Sequence, residues 1–273
     1  MPAAAVSASE MCGIAGFALP PGSGLERTLA AQALLAGIAE RGADAVGYAY
    51  RSLGESYPTV VKQRTPASLL LDRISVPGGA HQLLVHVRAY TKGHPSIAAN
   101  NHPVRHGPVV GIHNGTIVND DELLAGHGCA RAEPRMTVDS EAIFALAAHS
   151  RSDPAALETL YGSMAAAWLD EREPELLRLA RGVGRPLWLG EGREGTFFAS
   201  TELALEVVER YCRVRLRKRQ LREGTLLGLR DGRVSVRARF RPQRFVEDDP
   251  VPAVRAPEER ESCLSRLAVL AAA

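Results

Sequence analysis

Aromatic residues are scarce in this 273-residue chain, at 5%, and cysteines number four. Cys12, Cys129, Cys212 and Cys263 are far apart and form no CxxC pair. That spacing excludes a disulfide framework and a cysteine-built zinc site. Charge of one sign is also lacking, with a formal net charge of only +2. A strongly basic nucleic-acid binder is therefore not indicated. No apolar run reaches membrane-spanning length. The first eleven residues, MPAAAVSASEM, lack the basic start and apolar centre of a signal peptide, so the expected compartment is the cytoplasm. P-loop, dinucleotide and metal-ligand motifs are missing as well, and no cofactor is implied.

What is present suits a globular chain able to bury a sizeable core, since 45% of its residues are hydrophobic. CGIAGFAL, from Cys12, reads as a buried strand. Residues 25–41 place leucines and alanines at helical spacing. YPTVVKQ and HQLLVHVR read as strands, and residues 89–108 as a long polar loop of the kind that carries function. PVVGIH reads as a strand ending at the turn signal Asn114-Gly115. Helices are expected over 119–126 and 139–150. Four short strand-like runs follow, then a hairpin about Asp231-Gly232. RVRLRKRQLR, residues 213–222, reads first as the solvated face of a strand and second as a patch for an anionic partner. From Pro242 the chain is Pro-rich and charged, suggesting a surface tail, with a terminal docking helix over 258–272. Strands, then helices, then strands predict an α+β fold with mainly antiparallel sheets.

Five polar stretches sit between these elements: RGADAVG (41–47), HVRAYTKG (86–93), NNHP (100–103), HNGTIVN (113–119) and VDSE (138–141). Each alone is weak; RG reads equally as a helix end. As an ordered set after MCGIAG, they resemble the glutaminase domain of class II glutamine amidotransferases, which are N-terminal nucleophile hydrolases. The closest likeness is to the glutaminase halves of glucosamine-6-phosphate synthase and amidophosphoribosyltransferase. The resemblance runs from Cys12 to about residue 237 and includes RGVGRPLWLGEGREGTFFASTELAL.

The resemblance implies a four-layer α-β-β-α sandwich with Cys12 opening a central strand. It implies that Cys12 attacks the side-chain amide of L-glutamine to form a thioester. The base would be the α-amino group of Cys12 itself, which titrates at about 7.7–8.0. A peptide-bonded nitrogen has its lone pair delocalised, so this chemistry requires the chain to begin at Cys12. Residues 1–11 are then expected to be a propeptide or a misassigned start. Asn114 and Gly115 match the oxyanion hole. Arg88 matches the arginine that pairs with the substrate α-carboxylate, Asp139 the acid that holds the α-ammonium, and Thr91 a hydroxyl near the carboxylate. Arg41 and Gly42 match the segment packed beside the nucleophile. His86 and His102 match histidines read as loop anchors rather than catalysts. Ala89 and Lys92 depart from the synthase pattern, which has Trp and His there, and this leaves the lid over glutamine in question.

On this reading residues 12–240 form the glutaminase domain and 241–273 a C-terminal tail. About 36 residues follow residue 237, too few for a synthase domain. The expected partner is therefore a separate synthase or ligase chain that receives ammonia. No nucleic-acid or membrane partner is expected, and the oligomeric state, a homo-oligomer included, stays open. Two alternatives remain: a stand-alone hydrolase of a γ-glutamyl amide, and a catalytically silent scaffold.

Overall fold

A computed structural model of the chain describes residues 12–247 and 254–272. The proposed 1–11 leader lies outside them. Two antiparallel sheets stack face to face. The first has seven strands in the order β11-β9-β10-β1-β4-β2-β3, and the second six in the order β13-β12-β8-β7-β6-β5. The first sheet is built from β1 (Gly13–Ala18), β2 (Ala45–Ser52), β3 (Thr59–Gln63), β4 (Ala80–Arg88), β9 (Trp188–Gly192), β10 (Gly195–Ala199) and β11 (Arg217–Gln220). The second comprises β5 (Val104–His106), β6 (Val109–Ile117), β7 (Gly162–Asp170), β8 (Leu177–Arg181), β12 (Thr225–Arg230) and β13 (Arg233–Arg239).

Alternation along the central strands sorts side chains into layers. From β1, Ile14 and Ala18 face the second sheet, joined by Leu84, Ile112, Ala165 and Phe198. Ala15 and Phe17 point the other way, into a core shared with α1 (Arg27–Ile38), α5 (Glu202–Cys212) and α6 (Pro257–Leu270). On the far side, Trp168 of β7 packs with Ile143 and Phe144 of α4 (Glu141–Ser150). The result is the expected α-β-β-α sandwich, with β1 fourth of seven strands in its sheet.

Two local readings need correction. The strand β6 does not stop at Asn114-Gly115: it pairs with β7 through Ile117, with Gly115 opposite Met164. Gly115 has φ +139°, and a Cβ there would lie 2.0 Å from the carbonyl of Ser163. The dipeptide is thus a strand irregularity that only glycine fits, not a reversal. Second, the loop over 89–108 contains the short strand β5. As expected of a surface segment, residues 242–247 form no regular element; Gln243 Nε2 donates to Glu158 O at 3.1 Å, and Glu247 accepts from Ser163 Oγ at 2.9 Å. The hairpin at Asp231-Gly232 has φ +48° and +72°, the left-handed pair a two-residue turn requires.

The C-terminal helix α6 buries Cys263 and Leu267 in the core of α1. Glu259 fastens it to α2 (Ala67–Leu71), accepting from Ser68 N at 2.9 Å and Ser68 Oγ at 3.0 Å. Among the described residues, no helix is long and apolar enough to cross a membrane.

Candidate active site

Cys12 stands immediately before β1, where backbone pairing fixes it. Ser200 holds the start of that strand, accepting from Ile14 N at 3.0 Å through its hydroxyl. The Cys12 nitrogen donates to Asn114 Oδ1 at 3.1 Å, its carbonyl accepts from Arg41 Nε at 2.8 Å, and its thiol donates to Ala89 O at 3.4 Å. Burial pushes the thiol pKa up, while the Ala89 contact and the Arg88 and Arg41 charges work against that rise.

Asn114 is wholly buried on β6. With Oδ1 committed to the Cys12 nitrogen, its Nδ2 has no hydrogen-bond partner. A buried donor left unpaired costs about 1–3 kcal/mol, a cost that a transient acceptor beside Cys12 would relieve. Gly115 follows on the same strand and lines the cavity there, as do Cys12, Arg88, Thr91, His102 and Asp139.

Arg88 ends β4 and is 2% exposed. Its Nη1 donates to Asn101 Oδ1 at 2.6 Å, and its Nη2 to the carbonyls of Lys92, at 2.9 Å, and Gly93. The guanidinium is thus held by the 89–93 loop itself. Gly42 is required behind it, because a Cβ there would lie 2.4 Å from the Arg88 carbonyl carbon. Asp139 Oδ2 accepts from Ile117 N at 2.7 Å, and burial pushes its pKa up to about 6. Arg88 and Asp139 therefore bring one fixed cation and one titratable acid to the wall around Cys12.

His102 lines the cavity, and His86 is wholly buried against it. Their rings stack at 4.1 Å, and His86 Nε2 donates to the carbonyl of His113 at 3.1 Å. Burial pushes His86 down to about 3 and His102 well below its ordinary value, so both are neutral near pH 7. Among the described residues, no cluster of three or more His, Cys, Asp or Glu could hold a metal ion.

Sequence reasoning singled out no role for Asn101, His113 or Asp120. Asn101 orients Arg88. His113 bridges α4 and β7, accepting from Ser140 Oγ at 2.8 Å through Nδ1 and donating to Ser163 O at 3.3 Å through Nε2. Asp120, 1% exposed at the start of α3 (Asp120–Gly126), receives Lys92 Nζ at 2.6 Å and Arg131 Nη2 at 2.7 Å. Arg131 also donates to Val138 O at 2.8 Å, tying this network to Asp139's neighbour. The signals were faint: NNHP reads as loop chemistry and Asp120-Asp121 as the acidic first turn of a helix until the fold pairs them with Arg88 and Lys92.

The cavity enclosed by these walls is about 10 Å³, room for roughly one water. The cavity is too small for an amino acid as it stands, and Ala89, Tyr90, Thr91 and Lys92 of the 89–95 segment form part of its wall. That segment is fastened by Lys92 to Asp120 and Asp121, and by Tyr90 N–H to Asp44 Oδ2 at 2.9 Å.

Residues 89–207 match the glutamine amidotransferase domain family. Similar proteins include a glutamine–fructose-6-phosphate aminotransferase (isomerizing) of Pseudomonas putida, 33% identical over 56% of this chain and 25% of that protein. The namesake from Aliivibrio fischeri is 30% identical over 73% of this chain and 33% of its own length. The chain therefore spans a third or less of these curated relatives. In structure it resembles glutamine phosphoribosylpyrophosphate amidotransferase from B. subtilis, with a TM-score of 0.66 at 21% identity, covering 84% of this chain and 49% of that one. Residues 89–207 thus belong to a glutamine amidotransferase domain, and that domain, these relatives and the sandwich with Cys12 at the head of its central strand support a class II glutamine amidotransferase.

Proposed function

We propose that residues 12–240 form a glutaminase domain that hydrolyses L-glutamine to L-glutamate and ammonia through Cys12, and that the ammonia passes to a separate synthase or ligase subunit. The observation that carries the reading is the Asn114 amide. Its oxygen accepts from the Cys12 nitrogen, and its buried NH₂ has no hydrogen-bond partner.

The chemistry follows from the atoms around Cys12. Once the Met11–Cys12 bond is absent, the α-amine takes the Sγ proton and the thiolate attacks the carboxamide carbon. Negative charge develops on the carboxamide oxygen. Asn114 Nδ2 and the Gly115 N–H donate to it, a contribution typically worth several kcal/mol. The ammonium returns its proton to the departing nitrogen, the C–N bond breaks, and ammonia leaves a γ-glutamyl thioester on Cys12. Water, deprotonated by the same amine, then attacks the thioester and releases glutamate. Arg88 pairs with the α-carboxylate by a planar fork, Thr91 adds a hydroxyl there, and Asp139 as carboxylate holds the α-ammonium. Arg41 and Gly42 keep the nucleophile and Arg88 in place, while His86 and His102 act as packing.

Because the guanidinium of Arg88 is tied to Lys92 O and Gly93 O, substrate competes with the loop for it. Opening the loop frees donors for the carboxylate, coupling admission to recognition.

Steady-state kinetics test this reading. Glutamine hydrolysis should exceed that of its N-acetyl and α-carboxamide analogues by on the order of 30-fold to several-thousand-fold in kcat/KM, the range for losing a charge-assisted contact. Equal rates on the blocked analogues would instead indicate a broader γ-glutamyl amide hydrolase. Stimulation by a co-purifying synthase would support ammonia delivery, and its absence with every candidate partner would argue against it.

A further inference from the structure

The sandwich has one open side where the edge strand β11 of the first sheet and the edge hairpin β12–β13 of the second approach each other. Between them lies a groove of about 370 Å³, within the size range of small-ligand sites. Arg219, Arg222, Arg237 and Arg239 line it, and none of its lining residues is acidic. Leu221 and Leu227, each 1% exposed, form an apolar floor. Asn114 lies three strands away along the same register, through Ala165, Arg181 and Thr225, so the groove is separate from the cavity around Cys12.

Two of the guanidiniums are held in place, Arg239 partly by the groove wall itself. Arg239 donates to Thr225 Oγ1 at 2.5 Å and to Glu223 O at 2.8 Å. Arg219 Nε donates to Glu191 at 3.3 Å, while its Nη2 is buried without a partner. Charged edge strands commonly serve only to block edge-to-edge association. That role requires neither a concave, apolar-floored groove nor a buried donor lacking an acceptor. We propose that this groove binds a phosphate-bearing small molecule. Guanidinium forks match phosphate oxygens in bidentate geometry, and the leucine floor would seat the uncharged body of the ligand.

Isothermal titration of the full chain with inorganic pyrophosphate, at physiological salt, tests the site. Saturable one-to-one binding is expected. Arg219→Gln and Arg237→Gln should each weaken it about tenfold or more. Arg233→Gln, on the same strand but outside the groove, should leave it within about twofold. Circular dichroism establishes that the variants fold, and Arg222→Gln replaces Arg219→Gln if the latter does not. Ribose 5-phosphate should displace pyrophosphate at lower concentration than a Glu-rich peptide does. Absent or non-saturable binding, equal weakening by Arg233→Gln, or stronger displacement by the acidic peptide would overturn the proposal. The last of these would assign the surface to an acidic protein partner instead.

Discussion

On the proposed reading Asn114 has two tasks that only a carboxamide performs together: accepting from the Cys12 nitrogen and offering its unpartnered NH₂ to the substrate carboxamide oxygen. Asn114→Ala should lower kcat about 100- to 1,000-fold, the typical cost of one oxyanion donor, while iodoacetamide still alkylates Cys12. Asp139 offers a different signature. Burial raises its pKa from the ordinary 3.8 to about 6. Below the lower value, folded and unfolded chains are both protonated there. As pH rises towards 6, the unfolded chain releases the proton while the folded one retains it, so the folded state loses stability. The loss is complete above 6 and amounts to about 3 kcal/mol. Asp139→Asn lacks this loss, so urea denaturation should find the variant gaining on wild type between pH 4 and pH 7. A constant difference across that range would contradict the assigned environment. The residue types of the site were legible in the sequence because chemistry restricts them: a thiol, an amide, a fork and an acid. Their supports were not, since Asn101 and Asp120 gain meaning only from contacts with Arg88 and Lys92.

At the scale of elements, the 89–95 segment walls the cavity around Cys12, and on the proposed reading it admits the substrate. Lys92 joins that segment to the buried Asp120 on α3. Lys92→Met removes the tie and leaves Asp120 with Arg131. A partly exposed ion pair of this kind contributes on the order of 1 kcal/mol. The expected result is about a fivefold change in KM for glutamine, with kcat altered less. A fall in kcat alone would show that Lys92 acts on chemistry rather than on the loop. Elements with clear periodicity, such as β1, α1 and the 225–239 hairpin, were readable from the chain. The strand β6 was misread at Asn114-Gly115 because turn propensity is local, whereas pairing with β7 is set by residues some fifty positions away. Helix α5 went unread although Ala204, Leu205, Val207 and Val208 mark its buried face, because strand-like runs surround it. Strand β2 was obscured in the same way by the polar RGAD preceding its apolar run.

For the whole molecule, the sandwich sets Cys12 at the head of a central strand, where pairing with β4 and β10 gives its nitrogen and thiol fixed surroundings. A nucleophile that is also its own base needs that fixity, and it needs a free amine. The central claim is therefore tested most directly by measuring glutaminase rate against the fraction of chains that begin at Cys12, read by intact mass. A glutamine-mimicking diazoketone serves as active-site titrant in the same experiment. The account predicts a rate proportional to that fraction, one adduct per active chain, and the adduct mapped to Cys12. Full glutaminase activity from a chain that still begins at Met1 would contradict it.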